Sequence, residues 1–88
     1  MQVLKQIEVD NQEGFLALIG QRITVFCAVY IYTGELVGVN ESCIKLKDPA
    51  IVYETGPFTD AKWKDAQKLP HEFFYIQAAM IESFGVLK

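Results

Sequence analysis

Hydrophobic residues dominate residues 22–48, where Val, Ile, Tyr, Phe and Thr give the chain strand character almost throughout. The alternation of Ile23, Val25 and Cys27 with their neighbours predicts a first strand, and residues 30–40 predict a second. The pattern therefore indicates a mostly β protein.

Gly34 and Gly38 lie inside the second predicted strand without the cluster of turn-forming residues that accompanies a loop. Glycine within a strand commonly marks a bulge or a sharp bend, because no Cβ obstructs a strongly curved backbone. A long strand bent in this way lets a short sheet curl into a small barrel. We therefore predict a strongly bent antiparallel open barrel.

The remaining strands follow toward the C-terminus. A third strand is predicted from Cys43, interrupted at Pro49 because proline removes a ladder donor, and resumed over residues 50–55. A dense apolar stretch then predicts two short strands, at about 72–76 and 79–84, joined by a tight turn. These segments make a barrel of five strands.

Two helical segments are predicted beside the strands. Asp10 and Glu13 have the spacing of a capping box, which predicts a short amphipathic helix at about residues 11–19. Residues 56–70 form an insertion before the last two strands, where Asp60 is placed to cap one or two helical turns. All 88 residues fit a single domain.

Composition adds an argument for self-association. Hydrophobic residues make up 51% of a chain of only 88 residues, which is more apolar surface than a small interior can bury. Exposed apolar edge strands aggregate unless they are paired, and pairing unlike edges of neighbouring copies yields a ring if the rotation closes. The seam of this ring is predicted to contain Phe73, Phe74, Tyr75, Met80, Ile81 and Phe84.

Charge and cysteine usage exclude several functions. The net charge of −3 gives no general attraction for nucleic acid, so any nucleic-acid site must be local. Cys27, Cys43 and the single His71 are too few for a zinc site, and we expect no cofactor. The acidic residues are scattered without an oriented base, so no catalytic activity is expected. A cytoplasmic location is expected, because neither a signal peptide nor a membrane span is visible.

The bent strand resembles the first signature of the Sm-like (LSm/Hfq-like) family. Five residues lie on or close to that signature: Gly34, Leu36, Val39, Cys43 and Leu46. Residues 75–78 resemble the Tyr-Lys-His-Ala turn of the bacterial Hfq branch, and the chain is similar to small phage-encoded members. The resemblance covers about residues 11–84. It implies the Sm-like fold, a homo-oligomeric ring and binding of single-stranded RNA near a central pore.

The resemblance also implies which residues contact RNA. The matching loop positions are Asn40 and Ser42 in the first loop and Gln77 in the second. The amides of Asn40 and Gln77 can hydrogen-bond base edges without a basic field, and they fit structural turn residues equally well. Ser42 offers no flat surface on which a base could stack. Lys45 and Lys47 alternate on one strand face and are candidates for phosphate contacts at the rim.

A second hypothesis is a ring that serves as a protein-interaction scaffold and binds no RNA. In this case Trp63, within the 56–70 insertion, presents the surface that contacts an unknown protein partner. The acidic pI of about 5.0 and the missing signature residues favour the scaffold. The RNA binding that the resemblance to the Sm-like family implies favours the first hypothesis, a ring that binds single-stranded RNA.

Overall fold

The computed structural model describes residues 14–87, which form mostly β structure. The elements in chain order are α1 (Gly14–Ala17), β1 (Arg22–Cys27), β2 (Ile31–Val39), β3 (Cys43–Glu54), β4 (Asp65–Lys68), β5 (Phe73–Gln77), a 3₁₀ turn (Ala78–Met80) and β6 (Ile81–Val86). The six strands form one open antiparallel sheet. The predicted mostly β architecture is confirmed.

The strand β3 organises the sheet because it has two successive partners on one side. The sheet runs in the order β4-β3-β2-β1-β6, and β5 also pairs with β3. Residues 43–47 of β3 pair with β5, whereas residues 50–54 pair with β4. Strands β4 and β5 therefore follow β3 as one interrupted strand on its outer side.

A bulge lies where β3 changes partners. The register between β2 and β3 shifts between Thr33 and Glu35, where β3 contains one extra residue. Asp48 lies in this bulge with φ +50°, a left-handed conformation that aspartate tolerates better than most residues, and Pro49 follows it. A second shift lies between Leu36 and Gly38. The irregularities predicted at the two glycines of β2 are thus confirmed.

The main core lies on one face of the sheet. It consists of Ile23, Val25, Leu36, Ile44, Leu46 and Ile76, none more than 5% exposed. Phe15 and Leu18 pack against this core from the N-terminal side. Burying each large aliphatic side chain contributes about 1.5–3 kcal/mol, so the alternating apolar residues of the central strands dominate stability.

The chain between β3 and β4, the hairpin tip (residues 55–64), covers the opposite face of β1. The indole Nε1 of Trp63 donates a hydrogen bond to Thr24 Oγ1 at 3.1 Å, and the indole packs edge-on against Phe26. These two contacts attach the insertion to the body of the sheet. Phe58 contacts Trp63 edge-on but remains 73% exposed, so it contributes less to this anchor.

The prediction of helical turns within the 56–70 insertion is wrong. Residues 65–68 form β4 and pair with residues 50–54 of β3, which makes the sheet six-stranded rather than five-stranded. Asp60 does not cap a helix, since its backbone N–H donates to the Pro57 carbonyl in a tight turn at 3.1 Å. The Asp-Ala-Gln-Lys sequence of β4 has no strand propensity, and tertiary pairing with β3 decides its conformation.

The predicted helix at about 11–19 is described only in part. Its described portion is the single turn Gly14–Ala17, and Gly20 follows with φ +93°. Residues 11–13, including the Glu13 of the proposed capping box, lie outside the described residues. No helix within residues 14–87 has the length and apolar character needed to cross a membrane.

Because β2 and β3 approach each other closely at Gly34, adding one methyl group at this position is predicted to lower the stability of the fold. A Cβ at Gly34 would meet Leu46 Cβ at 3.1 Å and the Lys47 carbonyl oxygen at 3.2 Å, neither of which is a flexible side-chain end. We expect Gly34→Ala to lower the free energy of unfolding by about 1–3 kcal/mol, measured by urea denaturation at a fixed protein concentration.

The control for this prediction is Gly85→Ala in β6. A Cβ at Gly85 meets nothing within 4 Å. This variant should be unchanged or more stable by up to about 1 kcal/mol, because alanine restricts the unfolded chain. Equal stability of the two variants would contradict the steric argument at Gly34.

Candidate functional site

The two loops that the resemblance assigns to a ligand lie side by side at one end of the sheet. Cys43, the first residue of β3, pairs with Gln77, the last residue of β5. The Ala78 backbone N–H donates to the Ser42 carbonyl at 2.8 Å, which ties the 3₁₀ turn to the β2–β3 loop. An open cleft of about 550 Å³ lies between the loops, here called the loop cleft, lined by Ser42, Cys43, Tyr75 and Gln77.

Asn40 holds the β2–β3 loop in shape. Its side-chain Oδ1 accepts hydrogen bonds from the Ser42 backbone N–H (2.8 Å), the Ser42 hydroxyl (3.0 Å) and the Cys43 backbone N–H (2.9 Å). This arrangement is an Asx turn, in which the side chain substitutes for backbone acceptors. For Asn40 the geometry therefore favours the structural interpretation, and only the amide NH₂ group is left to contact a ligand.

Gln77 differs from Asn40 in that its side chain is not used by the adjacent turn. It occupies the N-cap position of the 3₁₀ turn but makes no side-chain cap hydrogen bond, and it is exposed. Gln77 lines the loop cleft, where its amide offers a ligand both donor and acceptor groups. Of the two amides singled out in the sequence, Gln77 is the better candidate for reading a polar ligand.

Lys45 and Lys47 lie opposite two aromatic residues of β5. Lys45 pairs with Tyr75 and Lys47 pairs with Phe73, on the face of the sheet opposite the core. The Lys45 Nζ atom lies 4.2 Å from the centroid of the Phe73 ring and 5.8 Å from that of Tyr75. These four residues form a lysine–aromatic strip that continues into Gln77 and the loop cleft.

The six residues predicted for a subunit seam do not share one environment. Phe74 packs against the core and contacts Tyr32, with ring centroids 5.5 Å apart. Ile81 also packs against the core, and Phe84 stacks on Phe15 at 3.7 Å. These three side chains therefore already have partners within the subunit.

The other three residues of that set are open to solvent. Phe73 and Tyr75 lie on the face opposite Phe74, because successive side chains of a strand point to opposite faces. They are 37% and 59% exposed, and Met80 in the 3₁₀ turn is 47% exposed. The sequence grouped Phe73, Phe74 and Tyr75 on one edge, whereas strand alternation separates them.

An apolar cavity of about 290 Å³ lies between the β1–β2 turn and β5. Cys27, Tyr30, Tyr32 and Met80 contribute to its lining. Burial raises the pKa of the Cys27 thiol, and burial, with the neighbouring Cys27 and Tyr30, raises the pKa of the Tyr32 phenol. The Cys27 and Tyr32 side chains are therefore neutral at physiological pH, which suits an apolar occupant rather than a charged one.

The structure brings together most of the proposed ligand residues. It adds Phe73 and Tyr75, which the sequence pattern assigns to the subunit seam. Ser42, Gln77 and Lys45 border one continuous surface, while Phe73 and Tyr75 complete it. The alternation of Phe73, Tyr75 and Gln77 is visible in the sequence. Their position opposite the two lysines depends on the β3–β5 register, which the sequence does not contain. No three His, Cys, Asp or Glu side chains within residues 14–87 are placed to hold a metal ion.

No protein-family model matches this chain, and no curated protein is significantly similar to it in sequence. The resemblance to the Sm-like family therefore remains a hypothesis carried by the bent strand and the two loops. What the chain binds has to be argued from the geometry of its own residues.

The role of Asn40 predicts a loss of stability that does not depend on any ligand. Asn40→Ala removes the acceptor of three hydrogen bonds and should lower the free energy of unfolding by about 1–2 kcal/mol, measured by urea denaturation. Asn40→Asp keeps an acceptor oxygen at the same position and should stay within about 0.5 kcal/mol of the wild type. An Ala variant as stable as the Asp variant would show that the turn does not need this side chain.

Proposed function

We propose that this chain is an Sm-like protein that assembles into a homo-oligomeric ring and binds single-stranded RNA beside the loop cleft. The features that support the Sm-like fold are two long strands with bulges, β2 and β3, and a final strand pair joined by a 3₁₀ turn. Under this proposal the protein catalyses no reaction and needs no cofactor. It acts by binding, as an RNA chaperone or RNA-processing component does.

The observation that supports the ring is that the outer strands of the sheet each have one strand partner. Within residues 14–87, β4 and β5 pair only with β3, and β6 pairs only with β1. Each strand therefore leaves one row of backbone donors and acceptors without a strand partner, which is a template for pairing with another chain. Met80 and Val86 beside these edges are 47% and 48% exposed. Pairing of β5 with β6 of the next copy is a heterologous contact, which forms a ring when the rotation between copies closes.

RNA binding is supported by the chemistry of the surface around the loop cleft. The amide of Gln77, the ammonium group of Lys45 and the exposed ring of Tyr75 are the group types that contact base edges, phosphates and base faces. A ring repeats this surface once per subunit, so a chain with net charge −3 still presents a local concentration of lysines.

The alternative is a ring that presents a protein-binding surface and binds no RNA. The specific observation in its favour is Phe58, which is 73% exposed at the hairpin tip and borders an open cavity of about 530 Å³. Trp63 is held by Thr24 and Phe26, so an incoming protein would contact Phe58 rather than the Trp63 indole assumed from the sequence.

The ring proposal predicts a defined mass in solution. Native mass spectrometry of the wild type should give one main species that contains several copies of the 10.0 kDa chain. Val86→Lys places a charge in the proposed seam, and we expect a shift to monomer because burying an unpaired charge is strongly unfavourable. The matched control is Tyr53→Lys on β3, an inner strand of the sheet, where the residue is 62% exposed. A monomeric wild type would contradict the ring.

The RNA proposal predicts saturable binding with a base preference. Fluorescence anisotropy of labelled U-rich and A-rich single-stranded RNA, titrated with protein across a salt series, measures both the affinity and its dependence on salt. A moderate salt dependence is expected, because each subunit contributes few lysines. Absence of binding even at low salt would exclude RNA and leave the scaffold.

A further inference from the structure

We infer that Tyr75 is the base-stacking platform of this protein and that Lys45, held by Phe73, contacts the adjoining phosphate. The inference rests on the proposed function, because it names the residues through which single-stranded RNA is held. It differs from the assignment implied by the resemblance, in which a loop residue at the position of Ser42 supplies the stacking surface.

Tyr75 has the position and exposure that stacking requires. Its side chain is 59% exposed, although its strand is anchored on both sides of it by Phe74 and the buried Ile76. It also lines three neighbouring depressions, which are the loop cleft, the apolar cavity of about 290 Å³ and a groove of about 150 Å³ bordered by Gly38, Asn40 and Lys45. An exposed ring on an anchored strand can accept a base on its face.

Phe73 and Tyr75 have different roles because Lys45 covers only one of them closely. The Lys45 ammonium lies over the Phe73 ring at 4.2 Å, and Phe73 is only 37% exposed. This cation–π contact holds the lysine beside Tyr75, whose ring centroid is 5.8 Å from the same nitrogen. Tyr75 therefore remains the open surface, with a positive charge beside it.

The charges around the strip indicate where the RNA backbone runs. Lys47 pairs with Glu35 across the β2–β3 ladder, which reduces the net positive charge at that position. Glu41 is among the residues that line the loop cleft, so its carboxylate disfavours a phosphate beside it. Lys45 is therefore the phosphate contact, and the bases point from it toward Tyr75 and Gln77.

Gln77 follows two residues after Tyr75 on the same face of β5, at a separation of about 7 Å. An amide at this distance can reach the edge of a base that is stacked on the tyrosine ring, and an amide both donates and accepts hydrogen bonds. The ligand class is therefore single-stranded RNA with at least one unpaired base bound per subunit. Double-stranded RNA does not fit, because its bases are already stacked.

The test compares RNA affinity among tyrosine variants by fluorescence anisotropy, with native mass spectrometry of each variant. Loss of one stacked base costs about five- to 150-fold in affinity, so we expect Tyr75→Ala to weaken binding by at least about fivefold. Tyr75→Phe keeps a flat ring and should stay within about twofold of the wild type. The matched control is Tyr53→Ala, an exposed tyrosine of β3 remote from the strip, which should bind as the wild type does.

The contribution of Lys45 is tested by its effect on the salt dependence. Lys45→Ala should reduce the slope of log K against log salt concentration by about 0.7 for each phosphate that the lysine neutralises in the wild type. Lys62→Ala, on the hairpin tip, should leave the slope unchanged. Photocrosslinking of thiouridine-substituted RNA to the wild-type protein should identify a peptide that contains Tyr75, and this experiment does not depend on any variant folding.

The outcomes separate this inference from the function on which it rests. If the wild type binds RNA and Tyr75→Ala binds equally well, Tyr75 is not the platform but the proposed function stands. If Tyr75→Ala falls to monomer mass, Tyr75 belongs to the subunit seam and the inference is overturned. If the wild type binds no RNA at low salt, the proposed function fails and the inference fails with it.

Discussion

A bulge at Asp48 and Pro49, opposite Gly34 of β2, sets the course of β3 and with it the positions of the neighbouring strands. It lets one strand of 12 residues serve two partners, β5 before the bulge and β4 after it. The first partnership brings the β2–β3 loop and the 3₁₀ turn together. The second directs the hairpin tip over β1, where Trp63 is anchored on Thr24. Both consequences require the close backbone approach that a glycine at position 34 allows.

Strand alternation in β5 divides its five residues into an inward-facing set and an exposed set. Phe74 and Ile76 point into the core, and their burial holds the strand in place. Phe73, Tyr75 and Gln77 point outward beside the lysines of β3. The outward residues can therefore be substituted without disturbing the core packing, while the inward residues hold the strand in place. Rigid aromatic rings next to a positive charge bind unstacked bases well, because little conformational freedom is lost on binding.

The proposed ring reconciles the apolar composition with a small interior. A chain of 88 residues cannot enclose all of its hydrophobic side chains, and Met80, Phe84 and Val86 remain partly exposed at the start of β6 and along it. Unpaired strands with such side chains are prone to unspecific association. Pairing them with a defined edge of a neighbour removes that hazard and repeats the Lys45–Tyr75 surface around the assembly. Local positive charge and an acidic chain are then compatible, since contact with phosphate depends on the nearest charges.

The mostly β class, the course of β1, β2, β3, β5 and β6, and the irregularities at Gly34 and Gly38 can all be predicted from the amino-acid sequence. They follow from local alternation of hydrophobic residues and from the absence of a Cβ in glycine, which are visible in short segments of the chain. The strand at residues 65–68 could not be predicted, because these residues carry no strand signal and are held by pairing with β3; the tertiary fold decided it. It also decided that Asn40 supports its own turn and that Lys45 lies beside Phe73 and Tyr75. The Lys45 contacts depend on the register between strands distant in the chain, and register is set by packing of the whole sheet.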